Sequence, residues 1–222
     1  MPVDDLRETN PPSNPELLDK LATHLIDSKY DLKAMIRLIT ASRTYQLSSK
    51  PNESNFSDEK NFSRALFRRL PAEVLLDAVC DVTGVPEKYD GMPSGYRAVQ
   101  LWDSQVRHYF LKLFGRPGRS TVCECERVTG ATIAQSLHLM NSPNLQRKLS
   151  HPGGTVKRLL LRHSEDAELV KELYLACYSR KPTTEEVQTA IDYIPEDSLL
   201  REKAVQDLAW SLLNSLEFIF NH

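Results

Sequence analysis

The chain has 222 residues, enough for one domain or at most two small ones with a substantial buried core. Hydrophobic residues make up 41% and charged residues 26% of the sequence, as is ordinary for a globular protein. The net charge of −2 gives no electrostatic reason to expect nucleic acid or an anionic membrane as a partner. No apolar run is long enough to predict a transmembrane helix, and four cysteines are too few for a disulfide scaffold.

The first third of the chain predicts two helices. The amino-terminal segment, MPVDDLRETNPPSNP, lacks the apolar core of a signal peptide. Ser13-Asn14-Pro15-Glu16 has the pattern of a capping box, and apolar residues recur behind it at helical spacing. A second amphipathic helix is predicted to start near Asp31. The polar run from Lys50 to Lys60 is typical of a loop.

The middle of the chain predicts a helix, a short strand and another helix. Pro71 opens a helical pattern that ends near Gly84. Residues 97–102 are interpreted as a short strand, which we expect to pair with residues 122–125. Residues 105–114 predict a short aromatic-rich helix that ends before Gly-Arg-Pro.

The last third is helical throughout. A helix is predicted over residues 129–150, and its inward face comprises Ile133, Leu137 and Met140. Thr183-Thr184-Glu185-Glu186 forms another capping box, and a final amphipathic helix is predicted over residues 199–220. The sequence therefore predicts a mainly α, multi-helix bundle-like single domain over residues 1–222, with one small two-stranded β element.

The most unusual motif is VCECER, in which two cysteines alternate with two glutamates before an arginine. In an extended segment, Cys123, Cys125 and Arg127 share one face, while Glu124 and Glu126 share the other. One interpretation is a structural loop, with one cysteine packed inward and the arginine paired with a neighbouring glutamate. Another is a redox or disulfide pair, because an adjacent arginine favours the reactive thiolate.

A metal site is the third interpretation of the motif. Cys123 and Cys125 supply at most two ligands, and His108 and His138 are the nearest candidates to complete the set. Structural zinc sites usually space cysteines by about two to four residues, so this spacing is unusual for them. We expect free thiols under reducing conditions and no bound metal. The sequence has no Cys-x-x-Cys-His for c-type haem, and we expect no cofactor in this chain.

Established catalytic motifs are absent from the sequence: no P-loop, His-Glu-x-x-His or Gly-x-Ser-x-Gly is present. An enzyme acting on surface polysaccharide would need paired carboxylates, for which Asp103, Glu124 and Glu126 are candidates. An interaction module is the competing hypothesis. Its partner-facing elements would be the VCECER motif and the amino-terminal loop with Asp5, Arg7 and Asn10.

Three separated motifs stand out: PVDDLRETNPPSNPELLDKLA with the following DLKAMIRLITASRTYQLSS, GRPGRSTVCECER with TIAQSLHLMNSP, and the terminal LLNSLEFIFNH. These motifs resemble the C-terminal domain of unknown function of planctomycete-type, cytochrome-associated surface proteins. They span nearly the whole chain in the family's order. The cysteine version of the middle motif resembles one branch of that family.

The resemblance implies a setting more than a reaction. Such domains lie at the end of longer extracytoplasmic proteins, after another domain and sometimes a c-type haem module. By this resemblance the chain is expected to be the carboxy-terminal portion of a multidomain protein at the cell surface. The expected partners are an upstream domain of the same polypeptide or other surface proteins, with no nucleic acid and no membrane insertion. Its expected role is that of a non-catalytic accessory domain.

Overall fold

The computed structural model describes residues 8–58, 61–102, 106–118, 127, 130 and 132–221. Contacts between Cα atoms divide these residues into two compact units, 8–68 and 69–221. The architecture is mainly α with one small antiparallel two-stranded sheet, as the sequence predicts. A single helical domain over the whole chain stays a prediction.

The first unit contains helices α1 (Pro15–Asp27) and α2 (Leu32–Thr40). Asn14 caps α1, since its Oδ1 accepts a hydrogen bond from Leu17 N at 3.0 Å, so the capping position predicted at Ser13 is wrong by one residue. The second helix begins where predicted, and the Asp31 side chain caps it by accepting hydrogen bonds from Lys33 N and Ala34 N. No residue of either helix is fully buried.

The second unit contains the remaining helices. They are α3 (Ala72–Thr83), a 3-10 helix (Ala98–Gln100), α4 (Tyr109–Leu113), α5 (Ile133–Asn141), α6 (Pro143–Leu149), α7 (Thr155–Arg162), α8 (Asp166–Tyr178), α9 (Thr184–Tyr193), α10 (Ser198–Leu213) and α11 (Leu216–Ile219). The core of this unit is built by large side chains that are fully buried. They include Leu75, Leu111, Phe114, Leu169, Leu173, Val205 and Leu213.

Helix α3 agrees closely with its sequence pattern. Pro71 precedes its first turn, and Gly84 ends it with a φ of 67°, in the left-handed region that favours glycine. A side chain at Gly84 would also meet Arg158 and Thr155 at close range. This glycine is therefore required both by the backbone conformation and by the packing.

The strand predicted at residues 97–102 is wrong. Ala98 and Val99 donate their backbone N–H groups to the buried Asp77 carboxylate, at 2.7 and 3.1 Å, and this favours a 3-10 turn. The two-stranded sheet lies elsewhere and joins β1 (Arg68–Arg69) to β2 (Phe220–Asn221). The proposed partner strand at residues 122–125 lies outside the described residues.

The helix predicted over residues 129–150 is interrupted at Ser142, which caps α6 through its hydroxyl. The predicted inward face of α5 is also wrong: Ile133 is 80% exposed, and Leu137 and Met140 are exposed as well. Gln135 and Leu139 point inward instead. Gln135 Nε2 donates to Leu113 O at 2.9 Å, so a hydrogen bond fixes the orientation of α5.

The carboxy-terminal segment is docked as predicted, although not as one helix. α10 ends at Leu213, and Ser215 caps the short α11 through its hydroxyl. Leu212, Leu213 and Phe218 are buried in the core of the second unit. Among the described residues, no helix is both long and apolar enough to span a membrane.

Candidate functional site

Among the described residues of the second unit, two sites that bring together chemically capable side chains stand out. The first is a polar cluster of Glu87, His108, Asn144 and Lys148, beside a cavity of about 300 Å³. Lys148 Nζ lies 3.2 Å from Glu87 Oε2, and Asn144 Nδ2 donates to the same oxygen at 3.1 Å. His108 Nε2 lies 3.9 Å from Glu87 Oε1. Lys148 also donates to Val85 O at 2.8 Å.

The ionisation of Glu87 follows from these neighbours. Burial by itself would raise its pKa, but the nearby His108 ring, the charge of Lys148 and the hydrogen bond from Asn144 outweigh that effect. The pKa of Glu87 is thereby lowered to about 2. The carboxylate is ionised at neutral pH and is poorly suited to donate a proton there.

Of the two histidines named as weak metal candidates, His108 belongs to the polar cluster and His138 lines the cavity beside it. The ring of His108 is 5.5 Å from that of Tyr89, and His138 packs edge-on against Tyr109 and Phe110. Burial, together with the charge of His108, lowers the pKa of His138. Within the described part of the chain, no three His, Cys, Asp or Glu side chains are placed to hold a metal ion.

The polar cluster offers no activated nucleophile. Lys148 Nζ is 3.6 Å from Cys80 Sγ, but burial, the largest effect, raises the pKa of the Cys80 thiol. Lys148 itself is 5% exposed, forms an ion pair with Glu87 and donates a hydrogen bond to Val85 O. These contacts hold α6 to the loop after α3, which is a structural role.

The second site is a groove of about 1010 Å³ between α6, α8, α9 and α10, which we call the aromatic groove. Its lining is mostly apolar with three aromatic rings, those of Tyr174, Tyr193 and Trp210. Trp210 Nε1 is buried and has no hydrogen-bond acceptor among the described residues. Apolar concave sites with a few polar groups are where ligands bind most often.

One wall of the aromatic groove is held rigid by Arg180. Its guanidinium makes paired hydrogen bonds to Glu186, at 2.8 and 2.9 Å, and to Glu217, at 2.6 and 2.8 Å. It also lies over the rings of Tyr174 and Tyr178, at 5.5 and 5.3 Å from their centres. These contacts join the end of α8 to α9 and α11.

Within the described part of the chain, the charged residues that line the aromatic groove are carboxylates: Glu185, Glu186, Asp192 and Asp207. The hydrogen bonds from Arg180 are the main reason that the pKa of Glu186 is lowered, to about 2. Asp192 accepts a hydrogen bond from Gln188, and Asp207 pairs with Lys203. The groove therefore combines an apolar floor with a negative rim.

The comparisons with known proteins decide the family. The family model of PSD1, described as a protein of unknown function (DUF1553), matches residues 1–194. The chain belongs to the PSD1 family. This confirms the expectation of a domain of unknown function. No curated protein and no solved structure matches the chain.

Most site residues predicted from the sequence of this PSD1 chain lie outside the described residues. They are Asp5, Arg7, Asp103, Cys123, Glu124, Cys125 and Glu126. Their roles as acid/base, metal, redox or interaction residues stay predictions. Asn10 is described and lies partly buried in a bend.

Arg127 is the member of the VCECER motif whose contacts are described. Its Nη1 donates to Glu73 Oε2 on α3 at 2.7 Å, and Arg116 Nε lies 3.6 Å from Glu73 Oε1. Burial opposes ionisation of Glu73, but Arg127 and Arg116 together lower its pKa. The predicted pairing of Arg127 with Glu124 or Glu126 lies outside the described residues.

The PSD1 residues that sequence reasoning missed are those of the aromatic groove. Gln146, Tyr174, Tyr193 and Trp210 come from four helices and share no local motif. Glu87 and Lys148 are 61 positions apart in number but adjacent in space. The available signal was an aromatic or acidic side chain within a helical segment, and this signal alone is common in proteins.

Proposed function

We propose that this chain is a non-catalytic interaction domain, accessory to a larger, extracytoplasmic, cytochrome-associated protein. In this proposal it binds an extended segment of a protein partner in the aromatic groove. The segment belongs to another domain of the larger polypeptide or to another surface protein. The chain itself holds no cofactor, and any c-type haem belongs to another module. The resemblance carried by the three sequence motifs supports this setting.

The observation that carries the binding role is the aromatic groove. It is an apolar concavity of about 1010 Å³ with a wall that Arg180 braces through Glu186 and Glu217. A braced wall loses little conformational entropy when a ligand binds, so more of the contact energy is available for affinity. Aromatic side chains, which the groove supplies, are enriched at interaction hot spots.

The polar cluster has the contacts of a structural brace and lacks a suitable general acid, which favours a binding role over catalysis. Glu87 accepts from Asn144 and pairs with Lys148, and Lys148 also donates to Val85 O. A general acid would need a pKa nearer neutrality than the value of about 2 at Glu87. The cluster is therefore best explained as a brace for α6, which also carries Gln146 in the groove.

A peptide library displayed on phage tests the binding role. The wild-type chain is compared with Thr189→Phe, which adds a ring at an exposed position lining the groove. The matched control is Leu161→Phe, at a position on α7 that is 80% exposed and does not line the groove. All three chains are first compared by thermal unfolding, to establish that each is folded.

The expected result is a set of peptides that the wild type and Leu161→Phe retain and Thr189→Phe loses. If Thr189→Phe retains every peptide that the wild type selects, the groove is not the binding site. If the folded wild type and the folded Leu161→Phe variant both select no peptide, the proposed interaction role of this groove is contradicted.

The extracytoplasmic setting has its own test. Antibody detection of the native protein in fractions of the source cells is expected to give signal in the envelope fraction. Signal confined to the cytoplasmic fraction would contradict the setting and leave the groove experiment unaffected.

A further inference from the structure

We infer that the aromatic groove is selective for a cationic peptide segment, one whose lysine or arginine side chains meet the carboxylates at its rim. This inference rests on the proposed function and adds the chemistry of the partner. It predicts which peptides bind, whereas the proposed function predicts only that the groove binds a segment.

The charge distribution at the groove is the first argument. Among the described residues that line it, the charged side chains are carboxylates only, although lysine and arginine together number 28 in the whole chain. Two nearby cations pair with them. Arg180 divides its hydrogen bonds between Glu186 and Glu217, and Lys203 pairs with Asp207 through an exposed contact. The local charge is therefore negative.

Two of the rim carboxylates are available to a ligand. Asp192 is exposed and accepts a hydrogen bond from Gln188. Because Gln188 is neutral, this contact does not neutralise the charge of Asp192. Glu185 is exposed in the first turn of α9. Because both side chains are exposed, an ammonium or guanidinium group can reach them and form a charge-assisted hydrogen bond.

The aromatic rings supply the second argument. Tyr193 is 57% exposed, and Trp210 lines the same groove. The face of an aromatic ring attracts a cation, and tryptophan does so most strongly. Within this unit the chain already uses that attraction, because Arg180 lies over Tyr174 and Tyr178. Carboxylates beside exposed rings are a combination suited to lysine and arginine.

The apolar floor supplies the third argument. Ala190, Leu208 and Leu212 line the groove between the rim carboxylates. Lysine and arginine carry long methylene stems that pack on apolar surface while the charged head reaches a polar rim. A metal ion or a small inorganic cation would leave this floor uncovered. The geometry therefore favours a peptide over a free ion.

Titration calorimetry with two defined peptides tests the inference. The probe is a short peptide of alternating lysine and alanine, and its counterpart replaces each lysine with glutamate. The wild-type chain is expected to bind the lysine peptide and not the glutamate peptide. Raising the salt from about 0.1 M to about 1 M is expected to weaken binding, because the screening length falls from about 10 Å to about 3 Å.

Matched variants locate the effect. The double variant Glu185→Gln with Asp192→Asn removes two exposed rim charges with little change in side-chain size. It is expected to lower the affinity for the lysine peptide by roughly fivefold or more. Asp90→Asn with Glu196→Gln makes the same charge change at exposed positions outside the groove lining and is expected to have little effect. Tyr193→Leu is expected to weaken binding more than Tyr193→Phe, because only phenylalanine keeps the ring face.

The inference is overturned if the glutamate peptide binds as well as the lysine peptide, or if the two paired variants weaken binding equally. It is also overturned if the groove selects neutral or acidic peptides, or a neutral glycan, in a manner that Thr189→Phe abolishes. In that case the groove remains a binding site and only the cationic chemistry is wrong. Binding of no peptide by the folded wild type would overturn both proposals.

Discussion

Arg127 donates to Glu73 across a 2.7 Å contact that joins the end of the VCECER motif to the first turn of α3. Both side chains are largely buried, and Arg116 adds a second positive charge at 3.6 Å from Glu73. A buried pair of this kind is costly to break, because removing one partner leaves the other desolvated without its counter-charge. Arg127 is thus tied to helix α3 of the second unit.

Arg127→Ala is expected to lower the free energy of unfolding by about 2–3 kcal/mol, because Glu73 loses its closest cation. Urea unfolding measures the change. Lys203→Ala removes a pair that is exposed on both sides, and it is expected to cost less than about 1 kcal/mol. Equal costs for the two variants would show that the Arg127 contact contributes no more than a surface pair.

Glu87→Gln is expected to destabilise the protein at pH 7 by about 1–3 kcal/mol, because it removes the charge that Lys148 and Asn144 contact and that lowers the pKa of Glu87 on folding. A carboxyl group whose pKa is lowered by folding stabilises the folded state at pH values above its pKa in the unfolded state. That contribution is lost as the pH falls from about 4.5 towards about 2. The difference in free energy of unfolding between wild type and Glu87→Gln should therefore become smaller as the pH falls through this range.

Urea unfolding at several pH values checks this linkage. Glu196→Gln, at an exposed carboxylate, serves as the control and should follow the wild type at every pH. A gap between wild type and Glu87→Gln that stays constant from pH 7 to acid would contradict the assigned ion pair.

The two described cysteines are expected to resist alkylation in the folded protein. Burial raises the pKa of Cys177 to about 12 and also raises that of Cys80. Because the thiolate is the reactive form, iodoacetamide at pH 8 should modify both only after unfolding. Peptide mass spectrometry identifies the modified positions. Rapid native modification of Cys177 would contradict its burial, whereas rapid modification of Cys123 and Cys125 would agree with the predicted free thiols.

Phe218→Ala is expected to destabilise the protein by about 3–5 kcal/mol, since the ring is 5% exposed in the core. Leu216→Ala is a matched control in the same short helix, and its side chain is 73% exposed. It should change stability by less than about 0.5 kcal/mol. Truncation after Asn214, which also removes Glu217 from Arg180, is expected to abolish cooperative unfolding. A truncated chain that melts near the wild-type temperature would refute the docking of this segment.

Local signals in the sequence predicted the elements whose ends are set by their own residues. Asp31, Pro71 with Gly84, and Thr183 mark helix ends by capping or backbone conformation, and the structure confirms each. Elements set by distant partners were predicted wrongly. The orientation of α5 depends on Gln135 reaching Leu113 O. The 3-10 turn at Ala98 depends on the buried carboxylate of Asp77.

The two-residue strands of the sheet were not predicted, because they are too short to show a period.

The candidate site was not predictable because its residues are distant in the sequence. The aromatic groove is assembled from α6, α8, α9 and α10, so its chemistry exists only after packing brings Tyr193 near Trp210. A carboxylate such as Asp192 on an exposed helix face has no sequence feature that separates it from a solvated charge.

The most direct test of the central claim uses the fluorescence of Trp210. The chain has two tryptophans, and Trp102→Phe at an exposed position leaves Trp210 as the only one. Adding the lysine–alanine peptide is expected to shift the Trp210 emission to saturation, with Thr189→Phe in the same background abolishing the shift. Peptide binding detected by calorimetry without any change in Trp210 emission would place the ligand elsewhere and contradict the aromatic groove as the functional site.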